Sequence, residues 1–297
     1  SEKMETFLEE SVNFTHKFNI LNPKKLSKKP PLPFTTSSLQ QKASNEMNIS
    51  PKETMSLSQK LYEAGLITYM RTDSVNYSKE FLEKAKKYIK DKYSDEYVGK
   101  DIDLLSERKV EKKKKKKEEK NAQEAHESIR PTDIKLEKIN NDFSPREKKL
   151  YYIIWSNTVE SCMSNAECLS LSSRITAPEN HEYRYTAELI TFPGWKIVKG
   201  YEKENPIYNL LLTLKKNQPI DYNKITSKLT IKDLKSHYTE AKLVQLLEEK
   251  GIGRPSTFSS LIDKIQEGGK NLGSKVPCSM PDKVWVKYVN QNENKIK

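Results

Sequence analysis

Leu61-Tyr62-Glu63-Ala64-Gly65-Leu66-Ile67-Thr68-Tyr69-Met70-Arg71-Thr72-Asp73-Ser74 is the stretch from which the rest of this chain can be ordered. Upstream, Met55, Leu57, Leu61 and Tyr62 recur near helical spacing, and Gly65 suits the left-handed position that ends a helix. Two apolar residues follow, then a tyrosine among Thr68, Arg71, Thr72, Asp73 and Ser74. A phenol that ionises near pH ~10 is a weak nucleophile at neutrality. Neighbouring cations or a general base change that by favouring the phenolate. Arg71 keeps its charge and can hold a phosphate oxygen or steady developing negative charge. Asp73 can orient that guanidinium or take part in proton transfer. Spacing alone equally fits a helix, a turn and a short strand, with Tyr69 as a half-buried wall residue.

Further blocks of polar residues flank this one. Pro33–Ser44 offers several Ser/Thr N-caps before a short helix. In Ala122-Gln123-Glu124-Ala125-His126-Glu127-Ser128-Ile129-Arg130-Pro131-Thr132, His126 sits between carboxylates, which favours its protonated form. Such a histidine can bind phosphate or pass a proton to a leaving hydroxyl, although a lone histidine is more often structural. Farther on, Thr239 caps a helix, Gly251 stops it, and Pro255 with Ser256 opens another whose Leu261, Ile262 and Ile265 face inward. That is a helix-turn-helix pattern. Its turn offers Lys250, Arg254, Ser256, Thr257 and free N-terminal amides as a phosphate cradle.

In order, these blocks resemble the signatures of the type IA DNA topoisomerases. Ile67–Ser74 is similar to the active-site motif in its bacterial topoisomerase I form; topoisomerase III usually has proline at the place of Met70. Ala125–Thr132 is similar to the second signature, and His237–Thr257 to the third, with His237 where arginine is usual. The resemblance spans roughly residues 30–266. It implies that Tyr69 attacks a single-strand phosphodiester and becomes joined to the 5′ phosphate, that Arg71 assists cleavage, and that His126 lies at the cleavage site. It further implies DNA contacts from Arg71, Asp73 and Ser74, from Arg130 (holding the DNA backbone or the local fold), and from Thr239, Lys250, Arg254, Ser256 and Thr257.

The implied fold is α+β, a torus of which this chain holds three parts. A gate (arch) domain takes residues 1–29 and 168–233, a tyrosine domain 30–167, and a partial helical DNA-entry domain 234–297. Magnesium is expected on the acidic Toprim domain, which the chain lacks, and no metal ligand is assigned here. The implied reaction relaxes negatively supercoiled DNA without ATP, and this fragment alone is expected to be inactive. Expected partners are single-stranded or underwound DNA, with no membrane and a monomeric chain. The expected location is the cytoplasm or nucleoid in a bacterium, and the nucleus or an organelle in a eukaryote.

Totals agree with a polyanion as partner: formal net charge is +12, pI about 9.2, and 32% of residues are charged. Cys162, Cys168 and Cys278 form no C-x-x-C pair and leave an odd count, against a zinc ribbon or disulfide framework and in favour of a reducing compartment. No apolar run approaches the ~20 residues of a membrane span, and the N-terminus has no signal-peptide core. Non-enzymatic DNA binding and RNA processing by the same chemistry remain open at this stage.

Elsewhere, alternation from Val12 favours a strand in residues 1–22, and Pro- and Lys-rich 23–34 reads as an extended connector. Ser78 caps a helix with Phe81, Leu82, Ala85, Tyr88 and Ile89 on one face, and Ser144-Pro145-Arg146-Glu147 opens another. Asp101, Asp103 and Glu107 run into a lysine tract, so 105–120 reads as a disordered insertion rather than a magnesium site. From 168 to 232 the alternation predicts antiparallel strands, including Asn209–Leu214, and Phe192-Pro193-Gly194-Trp195 a turn whose indole belongs to the core. Residues 268–297 have no assigned place.

Overall fold

The computed structural model describes residues 2–107, 127–228 and 238–271, with backbone alone over 267–271. His126, Glu124, His237, Cys278 and the lysine tract lie outside the described residues. In chain order come α1 (Glu2–Asn13), β1 (Phe18–Ile20), β2 (Lys24–Lys28), α2 (Thr36–Met47), α3 (Pro51–Glu63), α4 (Lys79–Tyr93) and α5 (Pro145–Ser161). After them come β3 (Ala166–Thr176), β4 (Glu182–Phe192), α6 (Pro206–Thr213), α7 (Glu240–Lys250) and α8 (Phe258–Asn271). The chain divides into two compact units: Ser1–Pro30 with Ser164–Lys232, and Pro31–Met163 with Asp233–Lys297. Helix and sheet are thus both present, the sheet in the first unit and most of the helices in the second.

The first unit is an antiparallel sheet backed by short helices. Long β3 pairs with β4 along one side, and with β1 (Phe18↔Ile175) and then β2 (Lys24↔Ser170) along the other. Its core gathers Phe18, Leu171, Ala187, Tyr208 and Leu211. Three expectations change here. Val12 belongs to helix α1, whose Phe7 and Ser11, a turn apart, face inward: Phe7 meets His181 edge-on at 5.8 Å, while Ser11 is buried. The connector at 24–28 is strand β2, because β3 extends far enough to pair with it. Asn209–Leu214 is not a strand. Asn205 accepts the Ile207 and Tyr208 N–H groups, Pro206 occupies the first turn, and helix α6 buries Tyr208 and Leu211. A run of leucines satisfies either period, so the cap decides the outcome. Trp195 is half-buried and donates to the Lys28 carbonyl (3.0 Å), anchoring the turn after β4.

The second unit is helical. Helix α5, buried on nearly every side, runs through it, as expected of a helix surrounded by others. Trp155 donates to the Ile134 carbonyl (2.8 Å) and Asn157 to the Leu32 carbonyl (3.0 Å). Helix α4 begins at the Ser78 cap and buries the five residues named from the sequence. Leu105, assigned to a disordered insertion, is core instead: its side chain is buried and its carbonyl accepts the Tyr77 N–H (2.9 Å). Cys162 and Cys168 are buried free thiols, and burial pushes the Cys162 thiol up to about 12. No described helix is long and apolar enough to cross a membrane.

Ser144 and Glu147 form a reciprocal capping box at the start of α5, and Lys60 of α3 reaches Glu147 at 3.1 Å. The Ser144 backbone N–H, then Lys60, holds the Glu147 carboxyl below its ordinary range. The unfolded chain therefore takes up the proton first as pH falls. Stability from this group is complete above the ordinary carboxylate range and is lost as pH drops through the lower folded value. Urea midpoints measured from pH 6 downward are expected to fall less steeply for Glu147→Gln than for the parent. Parallel curves would show that the pair contributes nothing.

Candidate active site on a pinned loop

After α3 the chain turns through Ala64 and Gly65, whose φ of 71° places it in the left-handed region, and the Leu66 N–H reaches back to the Leu61 carbonyl (2.9 Å). From there the side chains sort by burial. Ile67, Met70 and Thr72 go inside, while Tyr69 is 42% exposed and Arg71 and Asp73 are exposed.

The backbone of this loop is held at both ends. On the near side, the Thr68 N–H donates to the Arg130 carbonyl (2.9 Å), the Thr68 hydroxyl to the Ser128 carbonyl (2.9 Å), and the Arg130 N–H to Thr68 Oγ1 (3.0 Å). On the far side, Thr36 at the start of α2 grips Met70 and Thr72: its hydroxyl reaches the Met70 carbonyl at 2.7 Å. Phe34 closes the arrangement, its carbonyl accepting from the Ile129 N–H and the Ser128 hydroxyl, each at 2.9 Å. Three sequence blocks far apart in the chain are thus laced together around Tyr69.

Tyr69 rests its ring against Tyr62, the last turn of α3, edge to face at 5.4 Å and 68°. Neither the Tyr69 hydroxyl nor the Arg71 guanidinium has a hydrogen-bond or ion-pair partner among the described residues. Both are therefore open to an anion from solution. Tyr77, eight residues on, is the opposite case. It is buried against Ser161 (3.0 Å), and burial pushes its phenol far above the ordinary value. Of the two phenols, the accessible one is Tyr69.

One expectation changes near Arg71. Asp73 makes no ion pair with Arg71; the chain there folds locally, with Thr72 Oγ1 accepting the Ser74 N–H (3.0 Å) and Ser74 Oγ the Asn76 N–H (3.2 Å). Arg130, expected to hold the DNA backbone or the local fold, holds the local fold. Its guanidinium pairs with Glu127 (2.5 Å), donates to the Pro131 carbonyl (3.1 Å) and lies 4.2 Å over the Phe81 ring. Glu127 also accepts the Ser78 N–H (2.8 Å), joining this strap to the cap of α4. His126 lies immediately before the described segment.

The third block folds as a helix, a turn and a helix packed on the same unit. Thr239 accepts the Lys242 N–H (3.2 Å), Gly251 ends α7 at φ 68°, and Val244, Leu247, Phe258 and Ile262 form its core. Gly253 suits its place: its φ of 80° lies in the left-handed region that other residues rarely adopt. Three of the amides near the expected cradle are used internally. Arg254 N–H donates to Thr257 Oγ1 (2.8 Å), and the Thr257 and Phe258 N–H groups to the Arg254 carbonyl. Among the side chains, Lys250, Arg254 and Ser256 are exposed without a hydrogen-bond or ion-pair partner among the described residues. Helix α7 packs on α2, where Ser37 donates to Glu248 at 2.6 Å.

Comparison with known proteins agrees with this arrangement. A family model described as DNA topoisomerase matches residues 2–269. The chain belongs to the type IA DNA topoisomerase family. Curated type IA relatives include DNA topoisomerase 1 of Buchnera aphidicola from Acyrthosiphon pisum, 40% identical over 243 residues, covering 81% of this chain and 26% of the relative. DNA topoisomerase 1 of Helicobacter pylori J99 is 40% identical over 259 residues, covering 84% and 33%. Among solved structures, full-length topoisomerase I of Thermotoga maritima aligns with a TM-score of 0.62 at 26% identity, over 88% of this chain and 42% of that one. The chain therefore spans a quarter to a third of the length of these curated topoisomerases.

The sequence named Thr36, Ser37, Thr68 and Tyr62 without giving them a role around Tyr69. The run Thr35-Thr36-Ser37-Ser38 was a usable signal, since one helix start needs fewer hydroxyls than it supplies. Nothing in the local sequence marks Tyr62 as the neighbour of Tyr69.

Proposed function

We propose that this chain carries the cleavage-religation centre of a type IA DNA topoisomerase and that Tyr69 is its nucleophile. One observation carries the reading: an exposed phenol two residues from an exposed arginine, neither with a polar partner among the described residues, on a loop whose backbone is fixed on both sides. Tyr69 oxygen bonds to the phosphorus of a single-strand phosphodiester, and the P–O3′ bond breaks. The phenol proton leaves to solvent or a base, and the departing 3′ oxygen takes up a proton, a role assigned to His126. The tyrosine then holds the 5′ phosphate. Reversal by the 3′ hydroxyl restores both partners. One phosphate ester replaces another, so no ATP is consumed, and torsional strain in underwound DNA supplies direction.

Arg71 stabilises charge on the non-bridging oxygens as it develops. Lys250, Arg254 and Ser256 grip the single strand through its backbone, giving affinity with little sequence content. The sheet unit serves as part of the gate, with the helical unit as the tyrosine domain joined to part of the DNA-entry domain. Among the described residues no three His, Cys, Asp or Glu side chains converge as a cation site. Magnesium stays assigned, by the family resemblance alone, to an acidic Toprim domain, and no step here passes through it. The chain alone is expected to leave supercoiled DNA unrelaxed.

The test joins this chain to a Toprim domain and traps the adduct with detergent on an end-labelled single-stranded oligonucleotide. Label at the 3′ end is expected to travel with the protein and label at the 5′ end to be released. The reverse polarity, or no adduct with either label, would overturn the reading; the second outcome favours a protein that only binds DNA.

A further inference from the structure

We propose that Thr36 is a positioning residue for Tyr69 and that Ser37 beside it links this setting to helix α7. The inference rests on the cleavage reading above and deepens it. Thr36 is fully buried. Its hydroxyl faces the Met70 carbonyl (2.7 Å) and the Thr72 carbonyl (3.1 Å), and it accepts the Thr72 N–H (2.9 Å). Its own backbone N–H donates to the Thr72 carbonyl (2.9 Å). One residue therefore holds polar backbone atoms on both sides of Arg71, beginning at the residue after the nucleophile. A hydroxyl has a single proton, so the two carbonyls share it, while the lone pairs serve the Thr72 amide.

The start of α2 does not need this hydroxyl for its own sake. Thr35 and Ser38 already form a reciprocal capping box, the Ser38 N–H to Thr35 Oγ1 (3.2 Å) and the Thr35 N–H to Ser38 Oγ (2.9 Å). With the cap complete, Thr36 is left to face the loop. Ser37, one residue round the same stiff turn, donates to Glu248 of α7 (2.6 Å) and accepts from Gln41 (3.0 Å). Helix α7 leads directly into the turn that carries Lys250 and Arg254. A strand held there acts on α7, α7 on Ser37, and Ser37 shares its turn with Thr36.

Positioning of this kind predicts a split between rate and binding. In the Toprim-joined protein, Thr36→Val is expected to lower the single-turnover cleavage rate about a hundredfold, the cost of ~1 Å misplacement, with oligonucleotide Kd within about twofold. Thr36→Ser, which keeps the hydroxyl, is expected to restore the rate to within about threefold. An unchanged rate in Thr36→Val, or a matched loss of rate and binding that Thr36→Ser does not rescue, overturns the proposal. Glu248→Ala, which removes the acceptor of the Ser37 hydroxyl at an exposed position, provides a second measurement should Thr36→Val fold poorly. Bound single strand is expected to slow exchange of the Thr72 amide in the parent but not in Glu248→Ala; identical responses overturn the link. Tyr69→Phe separates the two ideas. An adduct persisting in that variant defeats the cleavage reading itself, whereas its loss beside a fully active Thr36→Val defeats positioning alone.

Discussion

Tyr69→Phe is expected to remove the covalent protein–DNA adduct below detection, a loss of at least about 10⁴-fold. The change deletes one oxygen and nothing else. The ring keeps its edge-on contact with Tyr62, and the lost hydroxyl had no partner among the described residues. Folding stability should therefore stay within about 0.5 kcal/mol of the parent, as for surface changes that touch no special feature. Single-strand binding should survive too, since the proposed grip lies in Lys250, Arg254 and Ser256. The informative result is thus a contrast: adduct gone, melting curve and oligonucleotide affinity retained. An adduct that persists would mean another nucleophile. Tyr77 is a poor substitute, buried and with its phenol pushed up.

Trp155→Ala is expected to produce the largest loss of stability, about 3–5 kcal/mol for the removed aromatic volume. Its indole is almost wholly buried and stacks on Tyr152 at 5.7 Å. It also receives Lys92 Nζ 5.5 Å over its face, while Lys92 pairs with Glu137. Truncation additionally strips the Ile134 carbonyl of its donor, worth about 1–3 kcal/mol where water cannot replace it. The consequence should reach the Tyr69 loop: Asn157, two residues on, holds the Leu32 carbonyl just before Phe34, which in turn holds Ser128 and Ile129. Urea unfolding followed by circular dichroism measures the effect. Trp155→Phe should recover much of the packing but not the carbonyl's partner. A Trp155→Ala midpoint near the parent's would show that α5 is not the element on which this unit closes.

Much of the local structure was legible in the residues because caps and periodicity act over a few positions. Ser78, Ser144 and Thr239 each begin the helix they announce, Gly251 ends one, and the inward face of α4 contains the residues its spacing names. Where two periods fitted equally, as in the leucine run of α6, the sequence was ambiguous until Asn205 and Pro206 were seen to cap it. Whether 24–28 pairs depends on a strand some 140 positions later, and no local pattern reports that.

For the site, the order Tyr69-Met70-Arg71 by itself determined which groups can do phosphoryl chemistry, since nucleophilicity and permanent charge belong to the residue types. Only the tertiary structure decided which of those groups are free. It withdrew Arg130 to Glu127 and Phe81, used the amides near Arg254 inside their own turn, and left Tyr69 and Arg71 facing outward. It also supplied Thr36 and Thr68, whose value comes from backbone atoms more than thirty residues away. The physical reason is range. Chemical capacity is a property of a side chain, whereas its availability depends on which partners the folded chain brings within hydrogen-bonding distance.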